Sequence, residues 1–146
     1  MSIRTLQHYR TQIEEQLKME LAEVTQALIQ AERSCTQLVQ DREAQEQRYR
    51  EDTGRGLTIE QLLQWQSHFE ALAAATEQAR RTVAHWQAQW DEARARLVSA
   101  SQDRRTLDRL IERYRHTAQR DAQRREQQST DEAAHHRHLG QGEYSS

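Results

Sequence analysis

No proline interrupts this chain, and its only internal pair of glycines falls at Gly54 and Gly56. A sequence rich in Gln, Glu, Arg and Ala, all strong helix formers, therefore has one obvious place to stop being helical. The stretch Asp52-Thr53-Gly54-Arg55-Gly56 is that place, because glycine reaches positive φ without steric cost. The residues just after the break read as a helix start. Thr58 can cap the helix, Gln61 can complete a capping box, and Leu57 and Leu62 occupy hydrophobic-staple positions.

The apolar residues on either side of the break recur at helical spacing. Before it run Ile3, Leu6, Tyr9, Ile13, Leu17, Leu21, Val24, Leu28, Ala31, Cys35 and Leu38, then a weaker stretch through Arg42 and Gln45 to Tyr49. The four-residue steps from Ile13 to Leu21 depart from a strict heptad, as a stutter does. After the break the steps alternate between three and four from Leu62 through Trp65, Phe69, Leu72, Thr76, Ala79, Val83, Trp86, Trp90, Ala93 and Leu97. They continue through Ala100, Arg104, Leu107, Ile111, Tyr114 and Ala118, with Thr76 and Arg104 the polar interruptions. A stripe sustained this long is a coiled-coil seam.

The predicted fold is all-α: a long antiparallel two-helix coiled-coil hairpin with a protruding C-terminal helix. Residues 1–138 form the hairpin, with a helix over 3–52, a turn at 53–57 and a helix over 58–137. Residues 139–146 read as a disordered tail. A tight turn pairs Leu28 with Val83, Val24 with Trp86, Leu21 with Trp90, Ile13 with Leu97 and Ile3 with Leu107. This register leaves Ile111 and Tyr114 beyond the reach of the first helix.

Composition agrees with a narrow seam rather than a thick core, since 35% of residues are hydrophobic and 30% charged. The formal net charge of −2 gives no global field for nucleic acid or anionic lipid. Lys18 is the only lysine, so the basic side is arginine, which suits bidentate contacts to carboxylates. The lone Cys35 excludes an internal disulfide and sits on the apolar stripe as a small hydrophobe. No apolar run is long enough to span a membrane and nothing at the N-terminus resembles a signal peptide, so the chain reads as cytosolic.

No catalytic constellation is visible, because a two-helix hairpin has no pocket that excludes water around a nucleophile and base. Gly54-Arg55-Gly56 lacks the spacing of a phosphate loop, and no cofactor is expected. His135, His136 and His138 form the densest group of the seven histidines, yet they lie at a fraying helix end and not in a converging metal frame. Two regions are candidates for binding. Tyr49, Trp65 and Phe69 gather near the turn opposite polar Arg42 and Gln45, an arrangement compatible with either a binding patch or packing. Beyond residue 103, arginines interleave with acids, which suits either a solvated helix or a carboxylate-bearing protein partner better than nucleic acid.

The layout resembles the FliJ family of flagellar type III export proteins and their YscO-type injectisome counterparts. The resemblance rests on Tyr49 before a short glycine break, the aromatic restart around Phe69, and Leu107-Asp108-Arg109-Leu110-Ile111-Glu112-Arg113-Tyr114. Arg124-Arg125-Glu126 and Asp131-Glu132-Ala133-Ala134 complete it. It implies a non-catalytic stalk that inserts its free-termini end into the hexameric export ATPase and promotes ring assembly. The turn end would reach the cytoplasmic subunit of the export gate, export chaperones would be further partners, and membrane association would be peripheral, through partners only. By resemblance, Arg109, Arg113, Tyr114 and Arg120 would contact the ATPase, and Tyr49, Phe69 and Ala73 the gate. Arg42 and Gln45 depart from the family, which tends to place apolar or aromatic residues there. The rival reading is a structural coiled coil that self-associates.

Overall fold

A computed structural model describes the backbone of residues 2–144 and side chains as far as Gly140. Two helices account for almost all of it: α1, Ile3–Arg55, and α2, Ile59–Tyr144, with no strand among the described residues. Ser2 caps α1, its Oγ accepting from the Thr5 backbone N–H at 3.2 Å. The capping box at α2 forms in both directions. Gln61 N donates to Thr58 Oγ1 at 3.1 Å, and Thr58 N donates to Gln61 Oε1 at 3.0 Å.

The break is shorter than expected. α1 continues through Gly54 to Arg55, and Gly56 alone adopts positive φ, at 92°, with its N–H bonded to Thr53 O at 3.2 Å. One left-handed residue is enough to end a helix, so Gly54 is free to remain helical. At the other end, α2 runs to Tyr144, where the sequence pattern alone places a disordered tail from residue 139. Gly140 weakens a helix by about 1 kcal/mol but does not block its backbone hydrogen bonds as proline would, so the helix passes through it. Residues 145 and 146 of that expected tail lie outside the described residues.

The chain divides into two units: Gln12–Ser101, which contains the turn, and Met1–Thr11 with Gln102–Ser146. Within the first, α1 and α2 lie antiparallel along the seam. Leu28, Ala31, Thr76 and Ala93 are buried, and Ala93 is the most enclosed at 2% exposure. Val24, Leu72, Val83, Trp86 and Leu97 are half-buried. The buried Thr76 does not disrupt the seam, because its hydroxyl donates to Leu72 O at 2.8 Å within the helix.

The register differs from the expected one by about one helical turn. Trp90 Nε1 donates to Thr25 Oγ1 at 3.0 Å, and Ser101 Oγ donates to Glu14 Oε1 at 3.1 Å. The expected register sets Trp90 opposite Leu21 instead. The cause is the longer α1: three more helical residues before the turn move the fold-back point, and every pairing moves with it. Trp90 is further held by the Arg94 guanidinium, 5.5 Å from the ring centroid.

In the other unit the start of α1 meets α2 in the same sense. Gln7 Nε2 donates to Asp108 Oδ1 at 3.2 Å, and Arg10 pairs with Asp103 at 3.5 Å. Leu6, Leu107 and Ile111 are half-buried, while Tyr9 is 55% exposed and Arg10 takes the seam side in its place. The expectation that Ile111 is uncovered is therefore corrected: the shifted register brings the first turn of α1 level with it. Tyr114, at 58% exposure, remains open.

The register assigns a specific cost to one substitution. Thr25→Val keeps the side-chain shape but strands the part-buried Trp90 N–H, and should lower stability in urea unfolding by about 1 kcal/mol. A Thr25→Val chain as stable as wild type would contradict the pairing.

Candidate functional site

The turn end is built from both helices of the Gln12–Ser101 unit. Tyr49 on α1 meets Trp65 and Phe69 on α2 edge-on, each pair with ring centroids 5.7 Å apart. Trp65 and Phe69 stack one turn apart at 5.7 Å, with 25° between their planes, and His68 meets Trp65 edge-on at 6.0 Å. Such contacts stabilise by about 0.5–1.5 kcal/mol beyond the area they bury.

The cluster is only half-buried and borders two shallow concavities. One, of about 330 Å³, is lined by Tyr49, Leu62, Trp65, Gln66 and Phe69. Another, of about 380 Å³, is lined by Gln45, Asp52, Gln61, Gln64, Trp65 and His68. The polar stretch opposite the rings resolves into two different roles. Gln45 lines the second concavity, while Arg42 turns along its own helix to Glu46 at 3.2 Å. Ala73 is exposed on α2, one turn beyond Phe69.

Sequence reasoning gathered the three rings but missed His68, Leu62 and Gln66 as parts of the same surface. The missed signal was spacing, since His68 lies three residues after Trp65 and Leu62 three before it. Ile59 and Leu63 join Leu62 as exposed aliphatics at 78%, 58% and 45% respectively. The turn end thus combines half-shielded aromatics with open aliphatic surface in an otherwise polar chain. An arrangement of this kind can take up an apolar protein surface.

In the other unit, Arg109, Arg113, Tyr114 and Arg120 are all exposed on α2, as is every residue over 112–139. They do not share a face. At about 100° per residue, Arg109, Arg113 and Arg120 fall within one narrow arc, while Tyr114 lies on the side that carries Leu107 and Ile111. The four residues thus separate into a cationic row and an apolar ring continuing the seam.

The seam also holds a charged group that sequence reasoning missed. Glu14 is only 6% exposed, with the Ser101 hydroxyl on one carboxylate oxygen and Lys18 Nζ at 3.9 Å. It follows Ile13 at the departure from heptad spacing, where two adjacent residues share the inward face. Arg104, the other polar interruption, pairs with Asp108 at 2.8 Å. His135, His136 and His138 are exposed, and among the described residues no three potential ligands converge on a metal position. No helix among the described residues is long and apolar enough to cross a membrane.

The ring cluster makes the turn end sensitive to truncation. Phe69→Ala removes contacts to both Tyr49 and Trp65, and should cost about 1–3 kcal/mol, below the full core value because the site is half-open. Tyr49→Phe, which keeps the ring, should leave the thermal midpoint and Trp65 fluorescence near wild type. Equal effects from both substitutions would contradict a role carried by ring packing.

The family described as flagellar FliJ protein matches residues 2–143 of this sequence. No curated protein and no solved structure matches the chain. The match spans nearly the whole sequence, both helices and both candidate surfaces, so the chain belongs to the FliJ family of non-catalytic flagellar type III export proteins.

Proposed function

We propose that this protein is an accessory stalk of the flagellar export apparatus, whose C-terminal helix projects past the N-terminal helix and enters the hexameric export ATPase. Its action is mechanical: it favours ring assembly and links ATP turnover to the gate, with no chemistry of its own. The observation that carries this reading, beside the family match, is the unbroken exposure of α2 over residues 112–139. A helix that buries nothing over that length gains little from its own fold. An arginine-rich face with an open Tyr114 is suited to a partner's carboxylates and apolar side chains.

In this reading Arg109, Arg113, Tyr114 and Arg120 meet the ATPase. Tyr49, Phe69 and Ala73 meet the cytoplasmic subunit of the export gate, with the ring cluster as an apolar anchor of the kind that dominates protein interfaces. Export chaperones are further partners of the same accessory protein. It acts in the cytoplasm and reaches the inner face of the membrane through its partners. A second reading, self-association through the apolar side of α2, draws on the exposure of Leu110 at 44% and Tyr114 at 58%.

ATP hydrolysis by the export ATPase, titrated with this protein, separates the two. The stalk reading predicts stimulation together with hexamer formation, and loss of both with the Arg109→Ala, Arg113→Ala, Tyr114→Ala triple variant. No stimulation, with light scattering at twice the chain mass and monomerisation by substitution of Tyr114, would establish self-association instead.

A further inference from the structure

Beside the ring cluster, the inward face of α1 ends on a carboxylate. Gln45, Tyr49 and Asp52 follow one another at four- and three-residue steps, so Asp52 continues the face that carries Tyr49. It is half-buried and lines the concavity of about 380 Å³ together with Gln45, Gln61, Gln64, Trp65 and His68. Gln61, Trp65 and His68 repeat the same four- and three-residue steps on α2. Both helices thus gather polar side chains around Trp65.

Among the described residues nothing neutralises that carboxylate. Arg48, four residues before it, and Arg55, three after, have the spacing for a pair, yet both are exposed and neither forms one with Asp52. Glu46, by contrast, is paired with Arg42 at 3.2 Å. Asp52 also sits in the last turn of α1, where the helix dipole disfavours an anion. The Trp65 ring has no cation over it either, whereas Trp90 has the Arg94 guanidinium 5.5 Å from its centroid. A positive group entering this concavity would meet a half-shielded anion and an indole at once.

We propose that this concavity receives a basic side chain of the protein that binds the turn end. The proposal rests on the gate reading of that end and deepens it, by setting a charged contact next to the apolar anchor. An arginine matches best, because a guanidinium donates to a carboxylate in bidentate fashion and stacks on an aromatic face. The amide oxygens of Gln45 and Gln64 add acceptors for its remaining N–H groups. Trp65 is also a wall of the neighbouring concavity, with Tyr49, Leu62, Gln66 and Phe69. The partner's segment therefore carries an apolar side chain close to its basic one. Nucleic acid and lipid headgroups are disfavoured, because their phosphates would face Asp52.

Two charge-matched variants of the full chain test this: Asp52→Asn, and Glu51→Gln at the exposed neighbouring position, which does not line the concavity. Each removes one negative charge from the same turn of α1. Affinity for the cytoplasmic subunit of the export gate is measured at low and at physiological salt, with thermal unfolding of the free chain alongside. Asp52→Asn should lose about tenfold in affinity and show a flatter salt dependence, with Glu51→Gln within about twofold of wild type. The thermal midpoint of Asp52→Asn should equal or exceed that of wild type, since the substitution removes an anion from the unfavourable end of α1. A lowered midpoint would overturn the proposal in favour of a structural role for Asp52. Equal affinity of Asp52→Asn and wild type, or equal losses from both variants, would overturn the basic side chain, and loss of binding by Phe69→Ala in the same assay would leave the gate reading in place. Absence of wild-type binding would overturn both.

Discussion

Everything in this molecule depends on where two helices with a narrow seam are allowed to pair. Apolar contacts alone define such pairing weakly, because a slip of one turn exchanges one aliphatic residue for another at modest cost. Polar contacts across the seam do not tolerate the slip. The Trp90 indole reaches Thr25 and the enclosed Glu14 carboxylate receives Ser101. Displacing either by a turn breaks a cross-helix hydrogen bond at a part-buried indole N–H or an enclosed carboxylate, where losing it costs more than on an exposed face. Within the Gln12–Ser101 unit, a few polar contacts therefore set the alignment on which the aromatic cluster depends.

Much of this was legible in the sequence. The seam residues Val24, Leu28, Ala31, Leu72, Val83, Trp86, Ala93 and Leu97 are shielded by the helices, whereas Leu62 at the start of α2 is exposed, and the Thr58–Gln61 capping box forms as its spacing implies. The apolar pattern could not fix the fold-back point. Both Gly54 and Gly56 are competent to end a helix, and only the structure shows that Gly56 does so. That difference of a few residues sets Trp90 against Thr25 in place of Leu21, and Ile111 is half-buried beside the start of α1. Glu14 was missed for a related reason: period counting assigns one inward residue per step, whereas the irregular spacing near Ile13 turns two adjacent residues inward.

The candidate surfaces were legible to different degrees. Tyr49, Trp65 and Phe69 announced themselves by residue type, and their rings do meet. At the other end, residue type grouped Arg109, Arg113, Arg120 and Tyr114, but helical geometry divides them between two faces. The family gives the two surfaces a shared setting in flagellar export. The Gln12–Ser101 unit carries a half-shielded aromatic cluster at the turn, and the other unit carries the exposed arginines of α2.

Amide hydrogen exchange across the whole chain, free and with the export ATPase added, tests the central claim most directly. The account predicts fast exchange over residues 112–139 in the free protein, where α2 buries nothing, with slower exchange around Leu28 and Ala93. Addition of the ATPase should slow exchange over 112–139 and leave the turn end around Tyr49 and Phe69 unchanged. Strong protection of 112–139 in the free chain, or protection by the ATPase confined to the turn end, would contradict it.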